Sequence, residues 1–252
     1  MFPGVGTVVN MGTVLVGTLA GVLVGHRLRQ RTRDVVTDAL GLVTLLIAAS
    51  SATSVTDARW AHDVGSSAPM LIVLGSLVLG GITGSVLGIE ERLEGFGAWL
   101  QTALQRWSRT AGTGADRQRF IEAFVTSSLV FCVGPLTILG AINDGLGKGA
   151  NQLFLKAALD GFASIAFAAS LGWGVAASIV SLAVVQGSLT VLGAMLGDVL
   201  SEAQIASLTA TGGLLLVGVA LRLLRIRQVP VGDLLPALVY APLLTLVVTA
   251  FR

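Results

Sequence analysis

Apolar residues along this chain fall into long blocks separated by short polar stretches. Eight blocks are predicted, at residues 7–25, 36–56, 69–89, 121–142, 152–172, 175–197, 205–224 and 234–251. Each approaches the ~20 residues that an α-helix needs to cross a hydrocarbon layer. In lipid every backbone polar group must be satisfied internally, so blocks of this length read as helices. The fold class is therefore all-α, a polytopic transmembrane bundle of about eight spans, taken as one integral membrane domain over residues 1–252. The fifth block is unusual in carrying charge, and the last is short and holds Pro236 and Pro242.

The polar connections sort by charge. Arg27, Arg29, Arg31 and Arg33 follow the first block, and Arg92, Arg106, Arg109, Arg117 and Arg119 follow the third. Arg222, Arg225 and Arg227 follow or end the seventh, whereas the loops after blocks two, four and six hold only Arg59 and Lys148. The positive-inside rule makes the odd-numbered loops cytoplasmic and puts both termini outside. MFPGVGT has no basic residue ahead of the first block, so that block reads as a span rather than a cleavable signal.

Residues 90–120 form the one sizeable stretch outside the blocks. In EERLEGFGAWLQTALQRW, Leu93, Phe96, Leu100, Leu104 and Trp107 recur at three- and four-residue steps. That spacing predicts a cytoplasmic amphipathic connector suited to the membrane interface.

Composition sharpens the picture. Apolar residues make up 54% of the 252 and charged residues 12%, about half the charged share of a soluble domain. No dense basic run with interleaved aromatics is present, which argues against nucleic-acid binding. Cys132 is the single cysteine and reads as a core thiol; His26 and His62 fall at loops or helix ends, which makes a histidine metal site improbable. No cofactor is expected. Walker, HExxH and CxxC motifs are absent, as is a Ser–His–Asp set, so the chain is not expected to be an enzyme.

Glycine is abundant, at 32 residues, and patterned. Gly12, Gly17, Gly21 and Gly25 have the same five-four-four spacing as Gly75, Gly80, Gly84 and Gly88, within GTVLVGTLAGVLVG and GSLVLGGITGSVLG. Gly193 and Gly197 match Gly21 and Gly25. Sixteen residues after Gly25 comes Gly41, and sixteen after Gly197 comes Gly213, with Thr37 and Thr209 at matching places. Glycines four apart let helix backbones approach closely. With five spans from the first block to the sixth, the two hairpins would be inverted copies, a recurring plan among secondary transporters.

The central stretch LVFCVGPLTILGAINDGLGKGANQLFLKAALDGFASIAF carries the candidate chemistry. Pro135 removes a backbone donor mid-block, so Gly134-Pro135 predicts a kink whose freed groups need a partner. Asn143-Asp144-Gly145 reads as a turn near the outer end. Lys156 and Asp160 share a helix face, with Asp160 roughly 12 Å inside its span. An ionisable residue at that depth is a functional candidate by default; its structural alternative is a neutralised pair pinning helices. Gly161 and Gly145, each following an aspartate, allow close backbone approach. Asn10 and Gln186, in VVNMGT and VVQGSL, can bridge helices or line a site.

GTVVNMGTVLVGTLAG, ALGLVTLLI, CVGPLTILGAINDGLG, LFLKAALDGFASIAFAASLGWGVAAS and VVQG, in that order, resemble a family of uncharacterised bacterial multi-pass inner-membrane proteins of the YdfK/YqgA type. The resemblance implies a polytopic membrane protein and brings no substrate. The word LDGFAS is also similar to the aspartate-containing span of bacterial manganese exporters.

These observations predict a secondary transporter or channel for a small solute or ion. Its site would comprise Asp160 as cation or proton ligand, Lys156 as counter-charge, Gly134 and Pro135 at a helix break, and Asn143, Asp144, Asn10 and Gln186 as polar contacts. The expected partners are the lipid bilayer, the solute and a further copy of the chain. The rival reading is a non-transporting assembly or regulatory protein that docks through residues 90–120.

Overall fold

A computed structural model describes residues 2–25, 27, 29–108, 114–132, 135–147, 149–196 and 200–251. Every regular element among them is helical. In chain order these are α1 (Val5–Gly25), α2 (Gln30–Ala52), α3 (Ala58–Val64), α4 (Ala68–Leu87), α5 (Ile89–Ser108), α6 (Gly114–Cys132), α7 (Pro135–Gly145), α8 (Asn151–Leu171), α9 (Gly174–Leu196), α10 (Glu202–Leu223), α11 (Val231–Leu234) and α12 (Ala237–Ala250). A short 3₁₀ turn, Thr53–Thr56, follows α2.

Among the described residues, seven helical stretches are long and apolar enough to cross a membrane, and all seven match predicted blocks. The remaining block, the fourth, is a broken pair: Arg117–Cys132 and Leu136–Gly145 are bent by 74°. Proline explains the break. Pro135 has no N–H to give to the carbonyl of Phe131, four residues back. The Thr137 hydroxyl donates to that carbonyl instead, at 3.0 Å. A carbonyl left bare in the core costs about 1–3 kcal/mol. Thr137→Val should therefore destabilise the fold by about that amount, read as a lower unfolding midpoint in detergent; an unchanged midpoint would mean that the carbonyl has another partner.

The two doubtful blocks resolve differently. The charged fifth block is an unbroken helix, α8. The eighth is interrupted after α11, with Pro236 at the N-cap of α12 and Pro242 inside it. Helix ends elsewhere follow local chemistry. Asp57 accepts from the backbone N–H groups of Arg59 and Trp60 to start α3. Ser201 and Gln204 form a capping box at α10. The connector predicted at 90–120 is helical over α5, where Phe96 and Trp99 stack at 5.6 Å. Gly134, Lys148, Gly197 and His26 lie outside the described residues.

The chain forms two compact units, residues 1–40, 91–132 and 136–197, and residues 41–90, 133–135 and 198–252. In the first, α1 and α8 run parallel with backbones in contact. A Cβ on Gly17 would lie 2.4 Å from the Gly161 carbonyl oxygen, one on Gly21 2.2 Å from that of Ile165, and one on Gly25 2.7 Å from that of Ala169. The helices α6 and α9 also run parallel, with Gly174 against Phe120 and the Ser128 and Ser181 hydroxyls paired at 2.9 Å. Gly25, Ala169 and Gly174 thus mark one end of this unit, and Gly6, Leu153 and Asp144 the other. It follows that α1 and α9 are antiparallel.

In the second unit α4 runs antiparallel to α11 and α12. A Cβ on Gly80 would lie 2.4 Å from the Ala237 nitrogen, and one on Gly84 1.8 Å from the Asp233 carbonyl oxygen. The second half of α2 is antiparallel to α10: Gly41 faces Leu223 and Leu224, and Gly213 faces Ala48, Ser51 and Ala52. Trp60, Val64, Ile72, Val73, Ala203 and Ala210 form a buried cluster here. The two matching glycine words therefore serve different neighbours, α8 in one unit and α11–α12 in the other. Gly12 has nothing within 4 Å of its Cβ position, and Gly88 caps α4 with a left-handed backbone at φ 60°.

Candidate functional site

The most polar part of the first unit gathers around Asp160. Lys156 and Asp160 lie one turn apart on α8, 5% and 7% exposed, and form an ion pair. Asn10, fully buried on α1, donates through Nδ2 to the same carboxylate oxygen, Asp160 Oδ2, at 2.9 Å. Asp160 is nine residues past the start of α8, about 13 Å along it at 1.5 Å per residue. The close approach of α1 and α8 is what brings an asparagine amide to a carboxylate 150 residues away in sequence. Gly17 and Gly161 supply that approach just below the bond. An ion pair in such surroundings loses hydration that the pairing only partly returns.

A second buried carboxylate stands at the start of α1. Asp144, 3% exposed, accepts the Gly6 N–H at 3.0 Å, where the exposed N–H groups of a helix start favour negative charge. Gly145 beside it has no room for a side chain: a Cβ would lie 2.1 Å from the Thr190 carbonyl oxygen on α9. Both Asp-Gly pairs thus sit at close backbone contacts, as the sequence suggests. The turn expected at Asn143-Asp144-Gly145 is one residue step later. Those residues form the last turn of α7, and the chain turns at Leu146-Gly147, where Gly147 has φ 71°. Helical geometry persists because Asn143 is held by Gln152, at 2.9 Å, and Asp144 by Gly6.

On the helices that frame this site, several buried polar atoms have no hydrogen-bond partner among the described residues. They are Thr7 Oγ1 and Asn10 Oδ1 on α1, Thr190 Oγ1 on α9, and both amide atoms of Gln186 on α9. Thr18 Oγ1, further along α1, is another. Buried polar groups in folded proteins are nearly always paired with protein or water, so these atoms are where a water or a solute would complete the bonding; Trp60 Nε1 and Thr211 Oγ1 in the second unit are two more of the kind. Sequence reasoning identified Asn10 and Gln186, of which Asn10 bridges helices and Gln186 makes no bond. It missed Thr7 and Thr190, because threonine is too common in membrane helices to stand out. Pro135 opens α7, and Cys132 lies close enough to Lys156 and Asp160 to feel both charges.

The second unit holds its own ion pair, also missed. Arg222 binds Glu90, whose carboxylate accepts the Gly232 N–H, and Asp233 accepts the Glu90 N–H at 2.9 Å. Glu90 and Arg222 stand at the ends of their apolar blocks, where charge reads as loop. Their side chains are only 13% and 15% exposed.

Comparison with known proteins bears on the site. The family described as protein of unknown function (DUF554) matches residues 5–246. The uncharacterised membrane protein YdfK of Bacillus subtilis is 26% identical over 246 residues, covering 98% of this chain and 97% of that one. The uncharacterised protein YqgA of Escherichia coli is 29% identical over 247 residues, covering 98% of both. No solved structure matches the chain.

Proposed function

We propose, for a chain that belongs to the DUF554 family of proteins of unknown function, that it is a secondary transporter or channel for a small solute or ion. The observation that carries this reading is the Lys156–Asp160 pair bonded to Asn10 deep in a membrane-protein bundle, beside buried polar atoms with no partner among the described residues. Unsatisfied donors and acceptors around it are what a visiting solute would complete. The reading includes no enzymatic step.

An inverted-repeat plan supports it. Gly41 and Gly213 are 172 positions apart, and so are the residues they face, Ala52 and Leu224. Equivalent glycines thus make reciprocal contacts across one antiparallel helix pair. In the other unit Thr18 and Thr190 are separated by the same 172 positions, and both hydroxyls are buried and unpartnered. Helix directions also alternate as the charge-derived topology requires, with α1 parallel to α8 and α4 antiparallel to α12. On that topology the Asp144 end of the first unit faces outside, in the inner membrane.

The test is flux in proteoliposomes for wild type and Asp160→Asn, matched for insertion and folding, screening protons, divalent metals and small carboxylates. Loss of flux only in the variant is the expected result. Equal flux in both would leave Asp160 a structural residue.

A further inference from the structure

We infer that the ion handled by this site is the proton, and that Asp144 is the station through which it reaches Asp160 along α1. The inference rests on the transport reading above and names its ion and its route.

The donor set argues against a metal cation. A hard cation takes a shell of oxygen lone pairs. Asp160 Oδ2 is already occupied by the Lys156 ammonium and the Asn10 amide. A fixed ammonium stands where a cation would bind. Among the described residues no third acidic, histidine or cysteine ligand joins the two carboxylates. A proton needs none of this. It can bind the remaining oxygen, Oδ1, and its arrival cancels the charge that holds Lys156.

Geometry supplies the route. Asp144 and Asp160 are tied to the same helix at Gly6 and Asn10, one turn apart and about 6 Å along the axis. Between those points in register lies Thr7, a buried hydroxyl with no partner, followed by the unpartnered Asn10 Oδ1. A hydroxyl both donates and accepts, and its hydrogen turns to suit. Three residues apart on one helix face, Thr7 Oγ1 and Asn10 Oδ1 are the open partners that a transient water would use in the proposed route. On α9, Thr190 stands beside Gly145, and Gln186 lies one turn away toward the same deep level, since α1 and α9 are antiparallel. Two columns of unpaired polar groups thus lead inward from Asp144.

The electrostatic surroundings are sparse. α1 and α9 carry no titratable residue. Among the described residues, Lys156 and Cys132 are the titratable groups that face Asp160. Glu122, Arg117 and Arg119 lie in the first half of α6, toward the opposite end of the unit, and Lys148 is outside the described residues. In the proposed step a proton leaves the Asp144 carboxyl, which becomes a carboxylate. It passes through the Thr7 hydroxyl or a water there and ends on Asp160 Oδ1, while Lys156 keeps its own proton.

The test is infrared difference spectroscopy on the full chain in lipid bilayers. The carboxyl C=O band that disappears in Asp160→Asn identifies protonated Asp160. After a switch to D₂O, the rate at which that band shifts reads proton access without any substrate. Asp144→Asn and, separately, Thr7→Val should slow the shift at least tenfold. Thr7→Val removes a hydroxyl with no hydrogen-bond partner among the described residues, so it tests the route without the loss of a bond seen in the fold. Unchanged exchange in both variants would overturn the route. An Asp160 band displaced by sodium or manganese(II), or no such band at any pH at which the protein stays folded, would overturn the proton. Flux lost in Asp160→Asn with unchanged exchange in Asp144→Asn would defeat this inference alone. Flux unaffected in Asp160→Asn would defeat the transport reading itself.

Discussion

Replacing Lys156 and Asp160 together by Met and Leu should leave the protein folded and silent, whereas Asp160→Ala alone should unfold it. The single change strands a buried ammonium, and breaking a buried pair from one side costs about 3–5 kcal/mol. It also takes the acceptor from Asn10 Nδ2. The double change removes both charges and fills similar volume with apolar atoms, a replacement that is often neutral or stabilising. What remains is the stranded Asn10 amide, about 1–3 kcal/mol. Thermal unfolding in detergent measures the first difference, and proteoliposome flux the second. A double variant as unstable as the single one would show that the pair is a net source of stability. Flux preserved in the double variant would remove Lys156 and Asp160 from the transport site.

Gly21→Leu should separate α1 from α8, while Gly12→Leu should change almost nothing. A Cβ at Gly21 meets the Ile165 carbonyl oxygen at 2.2 Å and the Ala168 Cβ at 2.8 Å. The first is backbone, so no rotamer relieves the clash and the helices must part. Overpacking typically costs about 1–3 kcal/mol where side chains can adjust, and here they cannot. Parting the helices also breaks the reach of Asn10 to Asp160, so flux should fall with stability. Gly12 has nothing within 4 Å of its Cβ position and is exposed, so leucine there meets lipid. A change within about 0.5 kcal/mol is expected at such a surface site. Equal damage from both substitutions would mean that the stripe packs along its whole length.

The glycine stripe shows where sequence stops. At about 100° per residue Gly12 lies on the opposite side of α1 from Gly21, so helix geometry alone takes it off the stripe of Gly17, Gly21 and Gly25. Which neighbour covers that stripe is decided by packing: the two similar glycine words diverge because a smooth helix face permits close approach but does not select the neighbour. Pro135 was legible as a kink, since its missing N–H is a property of the residue. That Thr137 would cap the freed Phe131 carbonyl depended on the 74° bend, which no local rule supplies.

The ion pair divides similarly. Lys156 and Asp160 are four apart on one helix, so their pairing is a local fact. Asn10 joining them, and Asp144 capping α1 at Gly6, join residues more than 130 positions apart. Glu90 and Arg222 were hidden because a charge at the end of an apolar block looks like loop until another helix covers it. By itself the sequence determined the helical membrane class, the span positions, the break and the deep charges. Each follows from hydrophobic length, from proline's missing donor or from the cost of charge in lipid. The tertiary structure alone decided which helices touch, and hence which polar atoms are satisfied and which stay open. Those depend on how whole helices pack, and many sequences with the same periodicity would pack otherwise.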